Sequence, residues 1–458
     1  MNRFYVLIVF VVAARLWLPT AIFNATLTAA DRLPNFVIIM TDDLGYGGIG
    51  SYGQKKVATP TLDQLAKSGL QFTQAYAGCC ICAPSRCVLL TGLHTGHCRV
   101  RKNDPKQRLT VEDVTFASLL KSKGYTTAGF GKWSLGDDGT PGEPYRHGFD
   151  NWVGYLDQAD AHFHYPDWIW KDRARFLLVG NNHQKDVRQT YAPDVIHQSA
   201  IEFIRSNRDS PFFCYLATTI PHAELLVPQD SLAEYDGRFD ETPYVGDRYA
   251  SNEKPRATYA AMVTRMDRDI GRLLQVLREL KLENDTIVLF TSDNGPINAG
   301  GADPDFFQNG GELRGWKFSL YEGGIRVPWI VSWPGKIRAN TTSDLPVSHD
   351  DIFPTFCELA GIAMPDSLDG VSLVPVFLGK KSTNDKKFLY WESPGKDGFM
   401  QAIRSGNYKA IRPAADAPLE LYNLEKDPAE SNDLRRVQPN IATDLEREMK
   451  AQHIEQVP

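Results

Sequence analysis

Asn35-Phe36-Val37-Ile38-Ile39-Met40-Thr41, followed directly by Asp42-Asp43-Leu44-Gly45-Tyr46-Gly47-Gly48, is the stretch on which the fold turns. Its apolar run carries no polar alternation, which predicts a strand buried on both faces, as in the parallel sheets of α/β proteins. Two adjacent carboxylates and a glycine-rich loop fall where that strand ends. In open α/β sheets, functional groups gather at the carboxyl ends of strands.

Outward from this strand, helical and strand patterns alternate. Thr59-Pro60 opens a helix, with Thr as N-cap and Pro in the first turn, and Gly69 closes it. Residues 115–123 read as a second helix, stopped by Gly124 and followed by a strand at 126–130. A helical pattern at 195–207 precedes a strand at 212–219, and a long amphipathic helix at about 257–280 leads to a strand at 286–292. This order predicts an α/β fold, a mostly parallel sheet sandwiched by helices. The connection from Gly136 to Pro193, rich in aromatics and His, is long enough to line a binding cleft. Past Lys380 the pattern becomes short strands at 388–391, 401–403, 408–411 and 420–424, then a helix at about 441–455. The expected organisation is an α/β domain over 31–380 and a smaller C-terminal α+β subdomain over 381–458.

The whole chain has 458 residues, 42% hydrophobic and 23% charged, the balance of a globular protein with a sizeable core. A net charge of -6, with no long Lys or Arg run, argues against a nucleic-acid partner. Arg3, an apolar run over 4–14 and the small residues Thr28, Ala29 and Ala30 read as a signal peptide over 1–30. An uncleaved anchor is the alternative, against which Arg15 and Pro19 interrupt the run. Cleavage would remove Arg3 and Arg15 and no acidic residue, leaving a charge of -8. The expected location is secreted or periplasmic, with no stable membrane association after cleavage. Five of the seven cysteines lie at 79, 80, 82, 87 and 98, a spacing that matches no usual zinc-ligand pattern. Cys214 and Cys357 read as buried core thiols.

The strand at 286–292 ends in Asp293-Asn294-Gly295, so two strand ends present adjacent oxygen-bearing side chains. Taken singly, Asp-Asn-Gly is more often a turn. Together the pairs form a candidate oxygen cage for a hard divalent cation, because clustered carboxylates need a cation to offset their repulsion.

Cys82-Ala83-Pro84-Ser85-Arg86-Cys87-Val88-Leu89-Leu90-Thr91-Gly92 holds every fixed position of the signature C-x-P-S-R-x-x-x-L-T-G. In this it resembles the sulfatase family of the alkaline phosphatase superfamily, from Asn35 to about Leu434. The resemblance implies an alkaline phosphatase-like fold and a sulfuric ester hydrolase. It implies that a separate maturation enzyme oxidises Cys82 to formylglycine, whose hydrate has one hydroxyl to attack sulfur and another whose deprotonation expels sulfate. Pro84 fits the first turn of a helix whose N-terminus favours an anion beside residue 82, and Arg86 would hold the nucleophile.

By the same resemblance, Asp42, Asp43, Asp293 and Asn294 with residue 82 are metal ligands, for calcium or alternatively magnesium. Lys132 matches a sulfate-binding lysine. His222 and Lys317 match residues that contact sulfate or protonate the leaving oxygen. One position departs: Ser134 stands where the family commonly has His in G-K-W-H-L-G. Gln158 and His162 resemble a loop of relatives that also lack that His, so Gln158 would bind sulfate and His162 would supply the imidazole; lining the cleft is the plainer role for His162 and His164. A phosphonate or phosphate ester hydrolase is the runner-up activity, and a non-catalytic carbohydrate-binding relative the third reading. The aromatics between Tyr145 and Trp170 favour a sulfated carbohydrate over a small aryl sulfate.

Overall fold

The seven residues Asn35–Thr41 form strand β1, and all seven are buried. Its side chains alternate between two hydrophobic cores. Val37 and Ile39 join one, together with the helices Pro60–Lys67, Ala192–Ser206 and Pro255–Glu279. Phe36, Ile38 and Met40 join the other, with Cys82–Thr91, Phe116–Ser122 and Ile352–Leu359. A strand with an unbroken apolar run such as 36–40 is stable only when both faces are covered, and this alternation realises that condition.

The computed structural model describes residues 33–246, 248–380, 386–395 and 398–455. The expected signal peptide, and residues 381–385 just past the expected boundary, lie outside the described residues. Ten strands make the main sheet: β1, then β2 (Leu70–Phe72), β3 (Thr126–Lys132), β4 (Asn151–Tyr155), β5 (Trp168–Lys171), β6 (Ala174–Leu177), β7 (Phe212–Ala217), β8 (Thr286–Ser292), β9 (Trp329–Ser332) and β10 (Thr341–Ser343). Their spatial order is β10-β2-β9-β8-β1-β7-β3-β4-β5-β6. The central run β8-β1-β7-β3-β4 is parallel, so its carboxyl ends open on one edge. Antiparallel neighbours flank it, β9 beside β8 and the β5–β6 hairpin beside β4. No helix among the described residues is long and apolar enough to cross a membrane.

The connection after Gly136, expected to line a cleft, also contains β4, β5 and β6, which widen the sheet. Strand β4 is poor in β-branched residues and contains Gly154. That glycine pairs with Gly131 of β3, and a Cβ added to it would stand 2.2 Å from the Gly131 carbonyl oxygen. Close backbone approach, not strand propensity, selects the residue. Strand β3 also runs on to Lys132, two residues beyond its expected end at 130.

Beyond Lys386, β11 (Leu389–Gly395), β12 (Gly398–Ser405), β13 (Tyr408–Arg412) and β14 (Glu420–Asn423) form an antiparallel sheet. One face packs Ile403 and Leu421 on Leu445 and Met449 of the helix Pro439–Ala451. The other packs Trp391, Ile411 and Tyr422 on Tyr76, Cys79 and Cys80, just upstream of Cys82. A buried ion cluster reinforces that join. Lys409 Nζ lies 2.9 Å from Glu322 Oε1 and 3.0 Å from Glu430 Oε1, and all three side chains are inaccessible to solvent. Lys409→Met would strip Glu430 of its cation and leave Glu322, among the described residues, paired only with Arg326, 3.4 Å away. It should lower unfolding free energy by roughly 3–5 kcal/mol in denaturant titration; a change below about 1 kcal/mol would show that the cluster is not the join.

Candidate active site

Three strand ends converge at the carboxyl edge of the sheet. Strand β1 delivers Asp42 and Asp43, β8 delivers Asp293 and Asn294, and β3 delivers Lys132 as its last residue. Asp43 adopts a left-handed φ of 66°, a conformation Asp tolerates better than most residues. Its backbone N–H donates to Asp293 Oδ1 at 3.2 Å, which ties the two strand ends together.

The helix Cys82–Thr91 supplies the other half, and every residue in it is buried. Cys82 is its first residue, so the side chain sits at the positive end of the helix. Ile81 is the N-cap and gives no side-chain cap, while Gly92 ends the helix at φ 69°. Asn103 Oδ1 accepts the free N–H of Ala83 at 2.9 Å, and Ser85 Oγ accepts the Gly78 N–H at 3.1 Å. Arg86 turns back under the sheet edge. Its Nη2 lies 2.8 Å from Asp293 Oδ2 and 3.7 Å from Asp42 Oδ2, and its Nη1 donates to the Lys132 carbonyl at 2.8 Å.

Around Cys82 the charges interlock. Lys132 Nζ donates to Asp42 Oδ2 at 2.6 Å. Lys317 Nζ lies 2.8 Å from Asp43 Oδ1 and 3.0 Å from Cys82 Sγ. Cys82 Sγ is 3.4 Å from Asp42 Oδ1, and His222 Nε2 is 3.4 Å from Asp43 Oδ2. The three carboxylates Asp42, Asp43 and Asp293 therefore face the three cations Arg86, Lys132 and Lys317, all buried.

Burial sets the protonation of this group. It disfavours ionised Asp42, but the positive charges, Lys132 foremost, outweigh it and hold the carboxyl well below its usual range. Burial and the charge on Asp42 push Asp43 up despite Lys317, and push Asp293 up to about 6. Burial, followed by the charge on Asp42, pushes the Cys82 thiol up to about 12. An unmodified thiol here stays protonated at neutral pH and is a poor nucleophile. Burial, then Lys317, holds His222 well below its ordinary value, so its ring is neutral.

The residues fit a hard divalent cation. Asn294 Nδ2 donates to Asp43 Oδ1 at 2.6 Å, and its buried Oδ1 has no hydrogen-bond partner among the described residues. Ligand atoms of Asp42, Asp43, Cys82 and His222 lie within 4.8 Å of one another. Carboxylate oxygens with an unsatisfied amide oxygen are donors suited to calcium or magnesium. His222 joins this group geometrically, whereas Asp293 divides its oxygens between Arg86 and the Asp43 amide.

A cavity of about 760 Å³ opens above the group, lined in part by Gln158, His162, His222, Trp316, Lys317 and Phe318. His162 stacks on His222 with ring centroids 4.1 Å apart. Ser134 Oγ, Gln158 Oε1 and His162 Nε2 are buried atoms with no partner among the described residues. Ser134 lines the neighbouring chamber, which shares Gln158 with the first. His164 points elsewhere: its Nε2 lies 3.2 Å from the His222 carbonyl oxygen, so it braces the wall from behind. Asn103, Tyr249, Trp316 and Phe318 also line the cavity and were not singled out in the sequence. Trp316 and Phe318 flank Lys317, and that adjacency was the available signal.

The profile of the Sulfatase family matches residues 34–362, and that of the N-sulphoglucosamine sulphohydrolase C-terminal region matches residues 312–456. Arylsulfatase A from Bos taurus is 32% identical, over 92% of this chain and 86% of that protein. N-acetylgalactosamine-6-sulfatase from Canis lupus familiaris is 31% identical, over 83% of this chain and 72% of that protein. The crystal structure of Ps i-CgsB in complex with k-i-k-neocarrahexaose superposes with a TM-score of 0.80 at 28% identity, covering 92% of this chain and 94% of that one. A signature helix carrying Cys82 and Arg86, an acidic group at the strand ends and matches spanning nearly the whole described chain lead to one conclusion: this chain belongs to the sulfatase family, enzymes that hydrolyse sulfate esters.

Proposed function

We propose that the chain removes sulfate from a sulfated carbohydrate, with residue 82 acting as formylglycine and calcium held by Asp42, Asp43, Asp293 and Asn294. The observation that carries this reading is Lys317 Nζ, 3.0 Å from the residue-82 side chain at the floor of an aromatic-walled cavity. Formylglycine would supply a hydroxyl nucleophile where the buried thiol is inert. Calcium, when bound, would offset the carboxylate charge and leave the site cationic toward a sulfate anion.

The remaining work falls to side chains. Lys132 and Lys317 are charged, buried and preorganised, so they stabilise charge developing on sulfate oxygens without reorganising. Arg86 holds Asp293 and the Lys132 carbonyl, and thereby fixes the turn of helix that presents residue 82. His222 Nδ1 donates to the Ala223 carbonyl, so the proton of the neutral ring sits on Nδ1, and Nε2, 3.4 Å from Asp43 Oδ2, must first take a proton before it can pass one to the leaving oxygen. His162 Nε2 is unpartnered among the described residues and faces the cavity beside His222, which leaves it free to accept a proton. Gln158 and Ser134 add polar atoms free to receive substrate.

The carbohydrate assignment draws on the aromatic walls, on a relative named N-acetylgalactosamine-6-sulfatase and on the Ps i-CgsB complex with k-i-k-neocarrahexaose. Export before action, maturation by a separate formylglycine-generating enzyme and a catalytic portion ending near residue 380 belong to the same proposal.

A panel of sulfated saccharides tests the reading. Matured enzyme should release sulfate from at least one of them, and faster than phosphate from the phosphate ester of the same alcohol. Phosphate release at an equal or higher rate would favour a phosphoesterase instead. Chelation should abolish turnover and calcium should restore it; metal-stripped enzyme at full activity would remove the cation from the account. Lys317→Ala should lower kcat by about 10²–10³-fold, the cost of losing one preorganised charge. His162→Ala should slow turnover by roughly 10²–10⁴-fold if its ring takes the proton, and an equally active variant would reduce His162 to a cavity wall.

A further inference from the structure

Phe318 departs from ordinary protein chemistry in three ways. Its backbone is left-handed, at φ 72°, a conformation that strains a bulky side chain and that glycine or asparagine adopts more readily. The residue is 56% exposed. It also lines the cavity beside Lys317, whose Nζ lies 5.6 Å from the ring centroid and 3.0 Å from Cys82 Sγ.

The turn that holds it is fixed on each side. Lys317 N–H donates to the Pro296 carbonyl at 2.9 Å, Phe318 N–H to the Cys80 carbonyl at 3.0 Å, and Ser319 N–H to the Trp316 carbonyl at 3.1 Å. These bonds are all made by the backbone, so a glycine at 318 would keep them without strain. The side chain therefore contributes little to folding: it costs backbone strain, and the residue stays 56% exposed. Strain of this kind at a functional site points to a ligand that uses the side chain.

We propose that Phe318 is a stacking platform for the sugar ring that carries the sulfate. The proposal rests on the carbohydrate reading and names its subsite. Lys317 lines the cavity and lies 3.0 Å from the residue-82 side chain, so a sulfate held between them would direct its ester oxygen into the cavity and bring the ring bonded to it against Phe318. A pyranose presents axial C–H bonds on one face, an apolar surface that suits the negative face of an aromatic ring. Trp316, half-buried on the other side of Lys317, extends the aromatic rim.

Phe318→Gly and Phe318→Asn test this, because both residues accept the left-handed backbone. With a sulfated saccharide, KM should rise about tenfold, the loss expected of one aromatic stack, while kcat stays within about twofold. Thermal midpoints should fall by no more than a few degrees, and Phe318→Trp should bring KM back toward the wild-type value. Unchanged KM in both variants would overturn the platform, as would a fall in kcat at constant KM, which would mean that Phe318 only positions Lys317. A wild-type enzyme active on aryl sulfates but on no saccharide would instead overturn the carbohydrate reading, and the platform with it.

Discussion

Three carboxylates buried within a few ångströms of one another cannot all stay ionised without compensation, and the architecture of this protein is organised around supplying it. Asp42, Asp43 and Asp293 are each at most 2% exposed. Arg86, Lys132 and Lys317 reach them from a helix, a strand end and a loop far apart in sequence. Removing any one of the six leaves a charge without its partner in a low-dielectric interior, where that is costly. The balance among the six is also what makes the site useful. A bound dication would tip the group positive, so that an anionic ester replaces lost hydration with fixed protein charges.

Topology explains how six such residues meet. A parallel run of strands sends its carboxyl ends to one edge, and side chains one residue past β1 and β8 become neighbours although about 250 positions separate them. Strand β1 is the pivot, since its residues anchor both cores and its end carries two of the three carboxylates. The C-terminal sheet then closes over the loop that leads into the helix Cys82–Thr91, through apolar contacts to Cys79 and Cys80 and the cluster around Lys409. The helix start is thereby clamped from below by Arg86 and from the side by the second sheet.

Much of this was legible in the chain. The apolar runs of β1, β7 and β8 and the Pro in the first turn at Pro60 follow from local rules, although Thr59 makes no side-chain cap, and the strand at 286–292 matches its expected bounds. The signature around Cys82 and the acidic strand ends mark six positions, and the family resemblance adds Lys132, His222 and Lys317; the nine lie together at one edge of the sheet. Strands β4 to β6 were not legible, because Gly154 is chosen by close contact with Gly131, a relation between segments that no local pattern records. Nor were Trp316 and Phe318 legible as cavity residues. Whether an aromatic beside a lysine faces a core or a ligand depends on the turn that carries it, and Phe318 shows that only through its left-handed backbone. Ser134 was visible as a departure, but its unpartnered hydroxyl required coordinates.

The central claim is that chemistry takes place at residue 82 and that the side chain there is an aldehyde and not a thiol. Peptide mass spectrometry of the segment carrying residue 82 tests it most directly, comparing protein matured by a formylglycine-generating enzyme with protein made without one. The account predicts an aldehyde at this position in the active preparation, at a level that tracks specific activity, and an intact, inactive thiol in the other. Full activity from protein whose Cys82 thiol is unmodified would contradict it.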